Sequence, residues 1–333
     1  MYFIGGMIVE NNNQKDSLRI VEWNISKLSP KNTVKQNKII QHIHEVKPDI
    51  LILTECGASF KCDNFKRLLD NNSSNWKIFF SKENNFNYIA ILVNVNNKKF
   101  QTVERLDFQK DFCEGNKESQ IHPDRVAVKI TLNNNTITVL GIRLLTSFKG
   151  DEKNNLHIPE QQILQNIQLV HDIQALEPDI IIGDFNTFSE MENPGFYDVF
   201  PKFNPKIDQN LQDEWKTLLK SAGFAESSTL DVFCQCISGS TSKYKYWAGG
   251  GNSFSVNAKN SSAGTSATAP DTLIWRSEPS EDDNDKPNPR YYPKPVQEKT
   301  LTEVMADLHW PSDHCMLIAD IEIPSEQHLA EDS

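Results

Sequence analysis

Two ten-residue stretches of this chain repeat one pattern: Val46-Lys47-Pro48-Asp49-Ile50-Leu51-Ile52-Leu53-Thr54-Glu55 and Leu176-Glu177-Pro178-Asp179-Ile180-Ile181-Ile182-Gly183-Asp184-Phe185. An amphipathic helical pattern precedes each copy. Over residues 33–46 it is carried by Ile39, Ile40 and Ile43, with Thr33 or Asn32 as N-cap. Over residues 158–176 it is carried by Ile163, Leu164, Ile167, Leu169 and Val170. Proline-aspartate then stops the helix, and a short, wholly apolar run follows, as in strands buried on both faces. A helix, a buried strand and a terminal carboxylate used twice predict a pseudo-symmetric fold whose halves face each other.

The rest of the chain reads as strands between polar turns. Residues 18–23 alternate and end at Asn24, and strand-like runs follow at 76–80, 88–95, 125–132 and 136–145. After the second copy come a helix near 211–222 and strands at 272–275 and 315–323. Residues 249–269 are rich in Gly, Ser, Asn and Ala; residues 278–299 are acidic, then punctuated by proline. Both read as surface insertions. A single α/β domain is expected over 18–323, between tails at 1–17 and 324–333.

Charge does not select a partner. The formal net charge is −11, but Glu278, Glu281, Asp282, Asp283, Asp285, Glu326, Glu331 and Asp332 account for −8 and leave −3 elsewhere. A local basic face therefore remains compatible with the total. Lys243-Tyr244-Lys245-Tyr246-Trp247 mixes cations and aromatics in the manner of a single-strand stacking platform, and equally of an ordinary amphipathic strand. The six cysteines form no C-x-x-C pair and read as reduced thiols. The first nine residues are too short for a membrane span and lack a basic leader segment, so a cytoplasmic location is expected.

Chemistry concentrates in five segments, each read as a polar or acidic residue just after an apolar strand. They are Trp23-Asn24, Thr54-Glu55, Gly183-Asp184-Phe185-Asn186, Pro270-Asp271 and Ser312-Asp313-His314. Carboxylates converging at strand ends repel one another unless a cation neutralises them, and oxygen donors select Mg²⁺ or Mn²⁺ over zinc. In order and type, these segments resemble the endonuclease/exonuclease/phosphatase superfamily, over about residues 18–323.

The resemblance implies a four-layer α/β sandwich: two packed mixed β-sheets flanked by helices, with a pseudo-two-fold axis. It implies that Asn24, Glu55 and Asp313 hold Mg²⁺ or Mn²⁺. Asp184 then orients or deprotonates the attacking water, and Asn186 bonds a phosphate oxygen. His314 acts beside the phosphate, with Asp271 fixing its tautomer. Where such proteins place a His or Tyr at the end of a central strand, this chain has Arg143. A guanidinium donates to phosphate oxygens but is no acid.

Each residue also has a plainer reading. Asn24 can simply turn the chain, Glu55 can be a solvated strand end, and Gly-Asp-Phe-Asn can be turn chemistry. Arg143 can be a surface arginine. A nucleic-acid phosphodiesterase is the leading expectation, with no membrane partner and no organic cofactor. The alternatives are a hydrolase of a small phosphoester (a nucleotide, an inositol phosphate or a phospholipid head group) and a non-catalytic binding protein. Pro270-Asp271-Thr272 stands where inositol phosphatases usually carry Cys-Asp-Arg, which counts against that version.

Overall fold

The computed structural model describes residues 17–26, 28, 31–57, 65, 67, 69–70, 75–81, 88–97, 99–108, 124–132, 135–144, 168–169, 171–185, 245–248, 271–277, 290–292, 304, 308–312 and 314–322. In chain order the elements are β1 (Ser17–Asn24), α1 (Thr33–Val46), β2 (Ile50–Thr54), β3 (Trp76–Phe80), β4 (Ala90–Asn94), β5 (Phe100–Leu106) and β6 (Asp124–Leu132). Then follow β7 (Asn135–Arg143), β8 (Ile180–Asp184), β9 (Lys245–Ala248), β10 (Asp271–Ser277), β11 (Arg290–Tyr292) and β12 (Met316–Glu322).

They form two six-stranded mixed sheets, ordered β11-β12-β1-β2-β4-β3 and β5-β6-β7-β8-β10-β9. Alternation along each strand builds the layers. Leu18, Ile20, Ile50 and Ile52 of one sheet pack with Val126, Val128, Val139, Ile180 and Ile182 of the other in one core. The opposite faces of β1 and β2 present Val21, Trp23, Leu51 and Leu53 to Ile39, Ile40, Ile43 and Val46 of α1. On the second sheet, Asp172 in the helical residues 171–176 pairs with Arg125 of β6. The architecture is the α/β sandwich of two packed mixed sheets that the sequence led one to expect.

The repeat survives down to individual hydrogen bonds. β1 runs parallel to β2, and β7 runs parallel to β8, so each half closes one parallel pair through a helix. Lys47 and Glu177 both adopt left-handed backbone (φ 53° and 43°) where these helices end. Their N–H groups donate to Ile43 O and Ile173 O, at 2.9 and 2.8 Å. The carboxylates of Asp49 and Asp179 each accept from a backbone N–H of the neighbouring strand, Arg19 at 2.8 Å and Thr138 at 2.6 Å. The Pro-Asp pairs are thus braces at the strand starts, remote from the strand ends where the polar residues gather.

Three sequence readings need adjustment. Residues 290–292, read as part of an insertion, form edge strand β11 against β12. The exposed strand β5, with an apolar pattern too weak to announce itself, was not anticipated. Asp271 opens its strand rather than following one. The N-cap of α1 is Asn32, whose side chain accepts from Lys35 N–H at 3.0 Å. The helix expected at 211–222, the first part of the one at 158–176 and the insertion at 249–269 lie outside the described residues. Among the described residues, no helix is long and apolar enough to cross a membrane.

Candidate active site

The sandwich brings the ends of its central strands to one rim. In register, Asn24 lies beside Thr54, Arg143 beside Asp184, Asp124 beside Arg143, and Asp271 beside Asp184. β6 and β10 run antiparallel to their central neighbours, so their first residues reach the rim where β7 and β8 end.

Contacts across the rim follow the pseudo-two-fold relation. Asn24, the last residue of β1, donates through Nδ2 to Asp184 Oδ2 at 2.8 Å. Arg143, its counterpart at the end of β7, donates through Nη2 to Glu55 Oε1 at 2.9 Å. In each case the end of a first central strand grips an acid from the second central strand of the opposite half. Simple alternation after buried Thr54 would turn Glu55 away from this rim. Left-handed backbone at Glu55 (φ 54°) accompanies its reach to Arg143, in a conformation that bulky residues adopt only when their surroundings enforce it.

Arg143 is only 5% exposed and also faces Asp124, with Nη1 at 3.4 Å from Oδ2. Both terminal nitrogens of its fork are therefore engaged by carboxylates. Burial acts to lower the guanidinium pKa, but Glu55, Asp184 and Asp124 together raise it, so the charge is retained. Asp124 is pushed up to about 7 by burial, against the opposing pull of Arg143 and with a further push from Glu55.

That shift predicts a pH dependence. Between the ordinary aspartate value of 3.8 and about 7, folded protein holds a proton on Asp124 that unfolded chain has released. The contribution of this group to stability is full at the acid end of that window and falls as pH rises through it. Thermal melts of the metal-free protein across the window should show that decline, and Asp124→Asn should flatten it. An unchanged slope in the variant would assign the decline to other groups.

The segment before β12 is fastened to the end of β1. Ser312 Oγ donates to Asn24 O at 2.5 Å and accepts from His314 N–H at 3.2 Å. Two indoles, Trp23 Nε1 and Trp310 Nε1, donate to His314 O at 3.0 and 2.7 Å. The backbone of His314 is thus held beside Asn24.

Of the residues singled out from the sequence, Asn24, Glu55, Arg143 and Asp184 meet directly, and the His314 segment adjoins them. Asp271 is placed by its backbone register; Asn186 and Asp313 lie outside the described residues. Among the described residues, no three acidic, histidine or cysteine side chains gather closely enough to hold a metal ion. The donors at the rim are nonetheless hard oxygens from carboxylates and an amide, the chemistry that suits Mg²⁺ or Mn²⁺.

Besides Asp172, which pairs with Arg125, sequence reasoning missed two buried acids, Asp124 and Glu22. Asp124 is the first residue of β6, whereas the polar motifs legible in the sequence follow apolar strands. Glu22, fully buried on β1, accepts from Thr54 Oγ1 at 3.1 Å, and its place in an apolar alternation gave it the look of an exposed position.

The sequence matches no family model, and no curated protein matches it. Solved structures similar to this chain include a truncated TDP2 of Caenorhabditis elegans, at 18% identity and TM-score 0.48, covering 92% of this chain and 98% of that one. The human Nocturnin catalytic domain with bound sulfate is similar at 15% identity and TM-score 0.48, covering 92% and 96%. An endonuclease/exonuclease/phosphatase family protein from Bacteroides thetaiotaomicron is similar at 12% identity and TM-score 0.49, covering 93% and 100%. At these scores, the architecture rests on the strand order and register above.

Proposed function

We propose that this chain is a Mg²⁺- or Mn²⁺-dependent phosphodiesterase of the endonuclease/exonuclease/phosphatase type, and that its substrate is DNA or RNA. One observation carries the reading: Asn24, Glu55, Arg143 and Asp184, distant in sequence, meet at one rim from both sheets. A surface of unrelated turns and solvated strand ends would have scattered them. Burial also argues against chance, since a fully buried Asp184 and a nearly buried Arg143 are costly to keep without a use.

In this reading Glu55, Asn24 and Asp313 hold the divalent ion. When bound, that ion supplies Lewis-acid stabilisation of charge on the phosphate and leaving group. Asp184, oriented by the Asn24 amide, aligns a water molecule and takes its proton. Asn186 donates to a phosphate oxygen as charge develops there. His314, its backbone clamped by the two indoles, stands beside the phosphate, and Asp271 fixes its tautomer.

The test is incubation of the purified chain with Mg²⁺ or Mn²⁺ and labelled single- and double-stranded DNA and RNA, alongside inositol phosphates, nucleotides and a chromogenic diester. Cleavage of a nucleic acid that stops on adding EDTA is the expected result. Turnover of small phosphoesters alone would remove the nucleic-acid part of the proposal. Inertness toward every substrate would remove all of it.

A further inference from the structure

The motifs leave one feature of the rim unexplained. Arg143 and Asp124, both buried, are paired directly behind Glu55. The guanidinium has Nη2 at 2.9 Å from Glu55 Oε1 and Nη1 at 3.4 Å from Asp124 Oδ2. Its Nε, also buried, has no acceptor among the described residues. Carboxylates therefore hold Arg143 through its two terminal nitrogens, so its position is set by Glu55 and Asp124. Glu55 Oε2 accepts no hydrogen bond from a described residue, and the Glu55 side chain is 19% exposed, so one of its oxygens faces inward and the carboxylate keeps a route to solvent.

We propose that Arg143, anchored by Asp124, is the resident counter-cation of Glu55: it occupies one oxygen of that carboxylate and restricts the site to a single divalent ion on the other. This inference rests on the metal-dependent reading above. A fixed positive charge beside Glu55 repels any second divalent ion that would share the carboxylate, and the repulsion is strongest where water is excluded. Holding one oxygen also fixes the plane of Glu55, whose left-handed backbone needs a partner to keep its side chain at the rim. Asp124 is a positioning residue here. It touches neither ion nor substrate, and keeps the guanidinium from swinging wholly onto Glu55 and Asp184. Lysine is no substitute, because a point charge on a flexible stem does not bridge two carboxylates in fixed directions.

The test is Mn²⁺ binding to the intact protein, read by calorimetry and by the electron paramagnetic resonance signal of free Mn²⁺, without substrate. Wild type should bind one ion. Arg143→Met should bind Mn²⁺ about tenfold more tightly or take up a second ion, the scale of repulsion between single and double charges a few ångströms apart even at water-like screening. Asp124→Asn should weaken Mn²⁺ binding, because the released guanidinium then competes for Glu55. In the Arg143→Met background the same change should have no effect, since Asp124 acts only through Arg143.

Additive effects, or an Arg143→Met protein that binds one ion with wild-type affinity, would overturn the inference. Arg143→Met leaves the buried Asp124 carboxyl without its partner, so the double variant Asp124→Asn/Arg143→Met, which removes both groups, decides the matter if the single variant does not fold. It should show the tighter or second ion; one ion at wild-type affinity counts against the proposal. A wild-type protein that binds no Mn²⁺ would sink both this inference and the metal-dependent function. Normal binding and cleavage with additive variants would sink this inference alone.

Discussion

Glu55→Gln and Asp184→Asn should each lower phosphodiester turnover at least about a hundredfold, the scale seen when a preorganised charge-positioning group is lost. Both substitutions keep side-chain shape and remove only the charge. For Asp184, which is fully buried, the amide still offers an oxygen to Asn24 Nδ2, now 2.8 Å from Oδ2, so the link between the sheets can persist. For Glu55, the amide oxygen can still accept from Arg143 Nη2, now at 2.9 Å. Loss of turnover with a retained melting transition therefore reports chemistry rather than unfolding. Steady-state rates beside melting curves check this, and full activity in either variant would end the catalytic assignment.

Gly183→Ala should have the opposite signature: little folded protein at all. Gly183 sits in β8 at φ +156°, and a Cβ there would lie 1.8 Å from Ile142 O and 2.8 Å from Ile142 C. These are backbone atoms of the adjacent parallel strand, so relief requires pulling β8 from β7 next to Asp184. A loss above about 4 kcal/mol is expected, as for other forced breaks in a core. Gly141→Ala is the internal control. Its Cβ would meet the Ile91 side chain at 3.2 Å, which a small rotation relieves at a cost of about 1–3 kcal/mol. Melting temperatures of the two variants measure the contrast. A Gly183→Ala protein as stable as Gly141→Ala would show that the approach of the two strands is looser than described.

The contrast corrects how the Gly-Asp-Phe-Asn segment reads from sequence. There Gly183 looks like a turn former; in the fold it lies within a strand, where the neighbouring backbone leaves no room for a side chain. The repeat was more informative. The apolar runs ending in Thr54-Glu55 and Gly183-Asp184 already predicted two buried strands with acids at their ends. Helical spacing before them predicted the helices that lead into β2 and β8; that β1–β2 and β7–β8 then pair in parallel is seen only in the fold. Trp23-Asn24 was legible for the same reason: alternation stops where the strand stops.

Arg143 was not legible as an internal cation. An arginine closing a strand has the same local pattern on a surface as in a core, and only the facing sheet decides between them. Asp124 was hidden more deeply. Nothing within a few residues of it shows that its strand runs antiparallel to β7 and so begins where β7 ends.

Local sequence thus determined which residues stand at strand ends, because apolar periodicity and its interruption are properties of neighbouring positions. Only tertiary structure decided which end faces which. Asn24 with Asp184, and Arg143 with Glu55 and Asp124, are pairings set by strand direction and by the packing of two sheets. A hydrogen bond between residues 160 positions apart, as for Asn24 and Asp184, or 88 apart, as for Arg143 and Glu55, leaves no periodic trace in the chain that makes it.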